Sequence, residues 1–155
     1  GGDADAYAPD AAGWQRSLLA DLGPGYCRVR PLSSRLLETL VVRLGRLGRE
    51  VLVELPFDRA GRLIGEAVCV AGGVASIGSS YRMLVQRALA CDAAGIVLAH
   101  NHPSGSYRPS RADVVATRQI AAVCRAVDLD LFDHLVIGGR SVASMRQAGL
   151  MAGAG

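Results

Sequence analysis

The residues of this sequence that could perform chemistry begin with two histidines one position apart. His100 and His102 are followed by Ser110 and Asp113. Alternate residues of a strand point to the same face, so the two imidazoles converge while Asn101 between them faces away. Asp113 adds a carboxylate at the start of a predicted helix. Two imidazoles and one carboxylate would hold a zinc ion and leave one position for water, as in zinc hydrolases.

The segment from Ser110 to Asp113 also has a purely structural interpretation. A serine before an apolar run is a typical helix N-cap, and an aspartate in the first turn is favoured by the helix dipole. Histidine is scarce in the chain, because only His134 lies outside the pair. Two of three histidines at the end of one strand favour a metal site over a chance arrangement, so both roles stay open for this segment.

Length and composition predict one domain with a single hydrophobic core. The chain has 155 residues, of which 50% are hydrophobic and 5% aromatic, so Leu, Val, Ile and Ala must form that core. We expect a flexible segment with a short helix over 1–30, the folded domain over 31–150 and a disordered tail over 151–155. No apolar run approaches the roughly 18 residues of a membrane span, and no signal peptide is evident, which predicts a cytoplasmic protein.

The basic residues are unusual in type. All seventeen are arginine, and the chain contains no lysine. A GC-rich genome is the simplest explanation; the alternative is a surface that cannot itself be conjugated, in an enzyme that cleaves bonds to lysine side chains. A net charge of +3 with scattered arginines makes nucleic-acid binding an unfavoured function.

The four cysteines do not suggest a structural metal site. They are widely spaced with no CxxC pair, which argues against a zinc ribbon. Each has apolar neighbours, so all four are predicted to be reduced, buried, small hydrophobic residues. They are Cys27, Cys69, Cys91 and Cys124.

The periodicity of apolar residues predicts strands interleaved with helices. Apolar positions from Leu36 to Leu47 share a helix face, with Gly48 as the stop. Turn residues at 58–61 separate two runs that form a predicted hairpin. The pattern predicts an α/β fold, a mixed sheet sandwiched by helices. The further predicted elements are strands 50–57, 63–71, 96–100 and 131–137 and helices 79–90 and 110–127.

From about residue 36 to residue 150 the chain resembles the JAB/MPN (JAMM) metalloprotease domain in its bacterial RadC-like branch. The segments AHNHPSG, PSRADVVAT and DHLVIGG carry the resemblance. His100, His102, Ser110 and Asp113 match the JAMM spacing of H-x-H, seven residues, serine, two residues and aspartate without a gap. The resemblance implies a JAB/MPN-like (cytidine deaminase-like) fold, a bound zinc ion, and hydrolysis of peptide or isopeptide bonds in a protein, a peptide or a ubiquitin-like modifier.

The resemblance also assigns roles. In the RadC-like pattern a glutamate opens a strand that ends in aspartate eight residues later, and Glu50 with Asp58 reproduces that spacing. Glu50 is therefore the predicted general base, with the more deeply placed Glu54 as the alternative. Ser110 is expected to donate a hydrogen bond to the developing oxyanion, and His134 is a candidate to support the zinc site. Two other glutamates are predicted at the surface: Glu38 and Glu66.

Several alternatives remain beside this assignment. An HNH nuclease distributes its residues over a hairpin and a helix, so the contiguous His100-Asn101-His102 argues against that function. The absence of an HExxH motif excludes the common zincin. A catalytically inactive MPN scaffold or a RadC-like DNA-associated protein would share the fold. RadC-like proteins usually carry a helix-hairpin-helix region, for which LLADLGPGY is a weak counterpart here. For a peptide substrate, we expect an extended tail to pair with the strand at 63–71.

Overall fold

The computed structural model describes residues 32–65, 67–69 and 81–151 of the chain. Helices and strands alternate along it, which confirms the α/β class. The elements in chain order are α1 (Ser34–Leu44), β1 (Leu52–Phe57), β2 (Ala67–Cys69), α2 (Tyr81–Ala90), β3 (Gly95–Asn101), α3 (Arg111–Ala126), β4 (Asp130–Gly138) and β5 (Ser141–Ser144).

The five strands form one mixed sheet in the order β2-β1-β3-β4-β5. β1 is antiparallel to both β2 and β3, β5 is antiparallel to β4, and β3 and β4 are parallel. A parallel pair needs a crossover connection, and α3 provides it. The carboxyl ends of β3 and β4 therefore lie at the same edge of the sheet, close to the start of α3.

The sheet separates two hydrophobic layers, with α1 on one face and α2 and α3 on the other. Because neighbouring strand residues point to opposite faces, Val53 and Leu55 join the core beneath α1, whereas Leu52 joins the core beneath α2 and α3. All six residues of β1 are buried, as expected for a strand covered on both sides. The predicted sheet sandwiched by helices is confirmed.

Helix α1 begins at Ser34 and ends earlier than predicted. The Ser33 side chain accepts a hydrogen bond from the Leu36 N–H at 3.1 Å, which caps the first turn. The helix was expected to continue to Leu47 and stop at Gly48, but it ends at Leu44. Gly45 is the C-cap residue and packs against the backbone of the turn after β4, and the low helix propensity of glycine favours an end there. Leu47 still packs on the core from the following turn.

Three differences between the predicted and the observed strands are larger than one residue at an end. β1 starts at Leu52, so Glu50 precedes the strand instead of opening it. The return strand expected over 63–71 is described only as Ala67–Cys69, with an isolated bridge between Phe57 and Leu63; residues 66, 70 and 71 lie outside the described residues. β5 was not predicted, because four half-exposed or exposed residues with no alternation give no strand signal.

The prediction for the cysteines is only partly right. Cys124 is buried in the core beneath α2 and α3, as expected, but Cys91 is exposed just after α2 ends. Cys27 and the side chain of Cys69 lie outside what the structure describes. In the described segments, no helix has both the length and the apolar character needed to cross a membrane.

Two glycines after α1 allow a matched test of this packing. A Cβ on Gly45 would overlap the carbonyl oxygen of Gly139, whereas a Cβ on Gly48 would meet nothing within 4 Å. We expect Gly45→Ala to lower the free energy of unfolding by about 1–3 kcal/mol, the usual cost of overpacking, and Gly48→Ala to leave it nearly unchanged. Urea denaturation of both variants checks this; equal effects would show that the contact between the two turns is not rigid.

Candidate metal centre

The predicted ligands come together at the carboxyl end of the parallel strand pair. His100 is the penultimate residue of β3, His102 follows the strand directly, and Asp113 lies in the first turn of α3. His100 and Asp113 are buried, and the His102 side chain is 15% exposed. One side of the cluster is therefore closed by the protein, and the His102 side is open to solvent.

The three ligand atoms form a nearly equilateral triangle. The Nε2 atoms of His100 and His102 are 3.1 Å apart. The Oδ2 atom of Asp113 lies 3.3 Å from the His100 Nε2 and 3.0 Å from the His102 Nε2. Metal bonds of about 2.0–2.2 Å at tetrahedral angles separate ligand atoms by about 3.3–3.6 Å, so a small outward movement of these side chains lets one divalent ion contact all three.

Hydrogen bonds on the far side of each imidazole leave Nε2 as an acceptor. The Nδ1 atom of His102 lies 3.0 Å from the carbonyl oxygen of Ser106, which can only accept, so this nitrogen carries the proton. Two imidazole lone pairs and a carboxylate then face one another. A proton on one ring would bond only one of the other two atoms, whereas a metal ion bonds all three. The donor set therefore fits a metal ion.

A buried chain of hydrogen bonds sets the corresponding protonation of His100. Its Nδ1 atom lies 2.7 Å from the Nε2 atom of His134, whose Nδ1 atom lies 2.6 Å from the Thr117 hydroxyl oxygen. That hydroxyl donates its one proton to the Asp113 carbonyl at 2.6 Å. It must then accept from His134, His134 must accept from His100, and the His100 Nε2 keeps its lone pair. The pKa of His134 is lowered well below its ordinary value by burial and by its histidine neighbours, which keeps it neutral.

Asp113 caps the helix as its sequence suggested, and its carboxylate also faces the two histidines. Its backbone N–H donates to the Ser110 hydroxyl oxygen at 3.0 Å, and its Oδ2 atom accepts from the Ser110 backbone N–H at 2.9 Å, a complete capping box. The same Oδ2 atom faces the histidines. Burial alone would raise the pKa of Asp113, but its contact with His100 and its hydrogen bonds with Ser110 lower it well below its ordinary value. The carboxylate is thus ionised and fixed in place before a metal binds.

Glu50 lies beside the same cluster on its solvent side. Its carboxylate and the two imidazoles each place one ligand atom within 4.8 Å of the others, and its Oε1 atom is 3.8 Å from the His102 Nε2. This distance is longer than those from Asp113, and the Glu50 side chain is 24% exposed. Partial burial raises the pKa of Glu50, while the two histidines oppose that shift. These three residues form a group that could hold a metal ion, in which Glu50 is the most exposed member.

Glu54, the alternative base, lies deeper in the protein. It is opposite Leu98 in the sheet and 2% exposed, and its Oε2 atom has no hydrogen-bond partner among the described residues. Burial raises the pKa of Glu54 from 4.5 to about 8. The described part of the sheet places it two residue pairs further along the strands than the pair that contains His100. Glu38 is exposed, as predicted, and Glu66 is outside the described residues.

The loop after β3 is held by a close backbone approach. A Cβ on Gly138 would overlap the backbone of Gly105 and Ser106, so the absence of a side chain at Gly138 lets the loop rest on the end of β4. This contact presents the Ser106 carbonyl to His102. Neither Ser106 nor Thr117 was predicted to belong to the site, because a carbonyl contact and a helix hydroxyl leave no sequence signal.

The hydrogen-bond chain predicts a role for the Thr117 hydroxyl in metal affinity. Thr117→Val keeps the shape of the side chain but removes the acceptor of the His134 proton. We expect the dissociation constant for zinc to rise on the order of 10–100-fold, the usual effect of losing such outer hydrogen bonds. Thr117→Ser keeps the hydroxyl and is the matched control. Competition with a chromogenic chelator measures both, and identical affinities for the two variants would contradict the assigned chain.

The buried Glu54 carboxyl predicts a pH dependence of stability. Its pKa is raised on folding, so its contribution to stability is present at pH values below 4.5 and is lost as the pH rises toward about 8. We expect Glu54→Gln to remove a slope of about 1.4 kcal/mol per pH unit within that window. Urea unfolding of both proteins between pH 5 and pH 8 isolates this term, since all other groups are shared. Parallel pH profiles would contradict it.

Comparisons with known proteins agree with this geometry. Residues 32–150 match the RadC-like JAB domain family. The UPF0758 protein YfjY of Escherichia coli (strain K12) is 37% identical over 112 residues, which is 72% of this chain and 70% of that protein. A UPF0758 protein of Leptothrix cholodnii is 39% identical over 112 residues, covering 72% of this chain and 50% of the relative. A UPF0758 protein of Burkholderia thailandensis is 41% identical over 106 residues, covering 68% and 40%.

The share of each relative that this chain covers differs among the three. The chain spans about half or less of the relatives from Leptothrix and Burkholderia, and about 70% of the Escherichia coli protein. The family match covers most of the chain and includes Glu50, both ligand histidines and Asp113. The chain belongs to the RadC-like JAB domain family.

Proposed function

We propose that the chain is a zinc-dependent hydrolase of peptide or isopeptide bonds. The observation that carries this proposal is the convergence of three acceptor atoms, at 3.0–3.3 Å from one another, beside a glutamate on the open side of the cluster. A buried structural metal would need no such opening or base. Three protein ligands with one side exposed are typical of catalytic zinc sites.

The residues around the site suit amide hydrolysis. A divalent ion bound there would supply a Lewis acid that acidifies water and polarises a carbonyl. Glu50 accepts the proton of the attacking water and returns it to the leaving amine. The Ser110 hydroxyl oxygen accepts from the Asp113 N–H, which leaves the Ser110 proton to donate to the developing oxyanion. Ser110 is exposed, so a substrate can reach it.

An extended substrate tail is the form that fits the sheet beside the site. Among the described strands, β2 lies at the edge of the sheet and pairs with β1. Cys69 of β2 pairs with Leu52 of β1, and Leu52 pairs with His100 of β3. A tail that adds to this strand through backbone hydrogen bonds would run toward the cluster. A peptide or the C-terminus of a modifier-like protein has this form.

The central catalytic test replaces Glu50 by glutamine. Glu50→Gln deletes a proton acceptor without deleting a ligand, so we expect zinc stoichiometry and thermal stability to be retained. Hydrolysis should fall on the order of a hundredfold or more. Glu38→Gln, on the exposed face of α1, is the matched control and should behave like wild type. Turnover of a panel of peptides and ubiquitin-like conjugates by the zinc-loaded proteins measures the difference.

Two results would overturn the proposal, and a third would change the assigned base. Zinc binding without hydrolysis of any member would favour an inactive MPN scaffold. Tight duplex-DNA binding at physiological salt, with a steep salt dependence, would favour a DNA-associated function. Loss of activity in Glu54→Gln but not in Glu50→Gln would mean that the assigned base is wrong.

Proline substitution along β2 tests the tail-pairing model. Successive backbone N–H groups of a strand point alternately toward β1 and toward the outer edge, and proline removes one of them. The variants place proline at Val68 or at one of its neighbours, Ala67 and Cys69. We expect proline at a position whose N–H points outward to slow turnover of tailed substrates while zinc affinity is kept. Val70, a second candidate, lies outside the described residues. Unchanged preference for tailed substrates over small amides would favour a small-molecule amidase.

A further inference from the structure

We infer that Asn101 is the positioning residue for Glu50, an assignment that rests on the proposed function of Glu50 as the base. Asn101 is the middle residue of the His100–Asn101–His102 triplet and is 1% exposed. Its side chain points to the face opposite the two imidazoles. It makes its contacts with the segment that carries Glu50.

Both neighbours of Glu50 in the chain are bonded to this one amide. The Val51 backbone N–H donates to the Asn101 Oδ1 atom at 2.7 Å, and the Asn101 Nδ2 atom donates to the Arg49 carbonyl at 2.9 Å. The remaining Nδ2 proton approaches the Leu47 carbonyl at 3.5 Å. Backbone groups on each side of Glu50 are therefore fixed to the strand that carries the ligands.

These bonds continue the strand register beyond the end of β1. The backbone ladder between β1 and β3 ends where Leu52 pairs with His100. Continuing that antiparallel register by two residues places Glu50 opposite His102, and side chains directly opposite each other are in contact range. The 3.8 Å separation of Glu50 Oε1 and His102 Nε2 agrees with this placement. Hydrogen bonds of the Asn101 side chain thus replace the backbone ladder beside Glu50, the proposed base.

The chemistry of this position favours asparagine over other small residues. A primary amide offers an acceptor and two donors in one plane, which is what an N–H on one side and carbonyls on the other require. Aspartate lacks the donors, serine offers one donor on a shorter side chain, and alanine offers none. The sequence contains no other asparagine.

The test uses Asn101→Ala and Asn101→Ser, with Leu98→Ala as the control. Leu98 is a fully buried residue of the same strand, so its truncation destabilises the fold without touching the residues that bracket Glu50. We expect both Asn101 variants to bind zinc with an affinity within a few-fold of wild type, which also shows that they fold. Amide hydrogen exchange should accelerate at residues 49–51 in the Asn101 variants and not in Leu98→Ala.

Turnover separates positioning from general destabilisation. We expect Asn101→Ala to lower kcat at least tenfold with little change in KM, and to have no further effect in a Glu50→Gln background, because both changes remove the same contribution. An equal loss in both backgrounds, or unchanged exchange at 49–51, would overturn the assignment. If the wild-type protein hydrolyses nothing, the proposed function fails, and the exchange measurement still decides whether Asn101 holds the Glu50 segment.

Discussion

The hydrogen bond between His100 Nδ1 and His134 Nε2 is the contact on which the site depends. It is buried, and it connects the ligand strand to β4, while His134 in turn contacts Thr117 on α3. Three elements are thereby joined through two imidazoles and one hydroxyl. Because each group has one proton to donate, the direction of the chain determines which nitrogen of His100 faces the metal position. The contacts that join these three elements are therefore also the contacts that orient His100 toward the metal position.

The start of α3 shows how a structural and a chemical role coexist in one side chain. A capping box usually satisfies helix N–H groups with a solvated carboxylate. Here the Asp113 carboxylate is buried against two imidazoles, so its capping bond from Ser110 also aims it at the metal position. The helix begins where the predicted ligand lies, and the carboxylate of that residue stabilises the helix start. The two interpretations of this sequence segment were therefore not exclusive.

The sequence predicted the parts of the fold and site that depend on local pattern. Strand alternation placed His100 and His102 on one face, and the apolar periodicity located the helices to within a few residues, apart from the end of α1. What the sequence could not predict depends on tertiary approach: α1 ends at Leu44, and Gly45 after it packs against the turn that contains Gly139. Cys91 was expected to be buried because of its apolar neighbours, and it is exposed just after α2 ends.

The site was predicted unevenly for a similar reason. The ligands have a sequence spacing, whereas Thr117 and Ser106 join the site only through the crossing of α3 over the sheet and the loop resting on Gly138. His134 was expected to support the metal site, and its bond to His100 gives that expectation a structural basis. The sequence predicted correctly that Asn101 lies on the opposite face. Its role could not be predicted, because the role depends on which backbone groups lie beside its side chain in the fold.

The most direct test of this account is the zinc stoichiometry of the metal-free protein titrated with zinc, for wild type and for His102→Ala. The geometry predicts one zinc ion per wild-type chain, bound by His100, His102 and Asp113, and loss of that tight site when the His102 imidazole is removed. Full stoichiometry and unchanged affinity in His102→Ala would contradict the metal centre, and with it the proposed hydrolase.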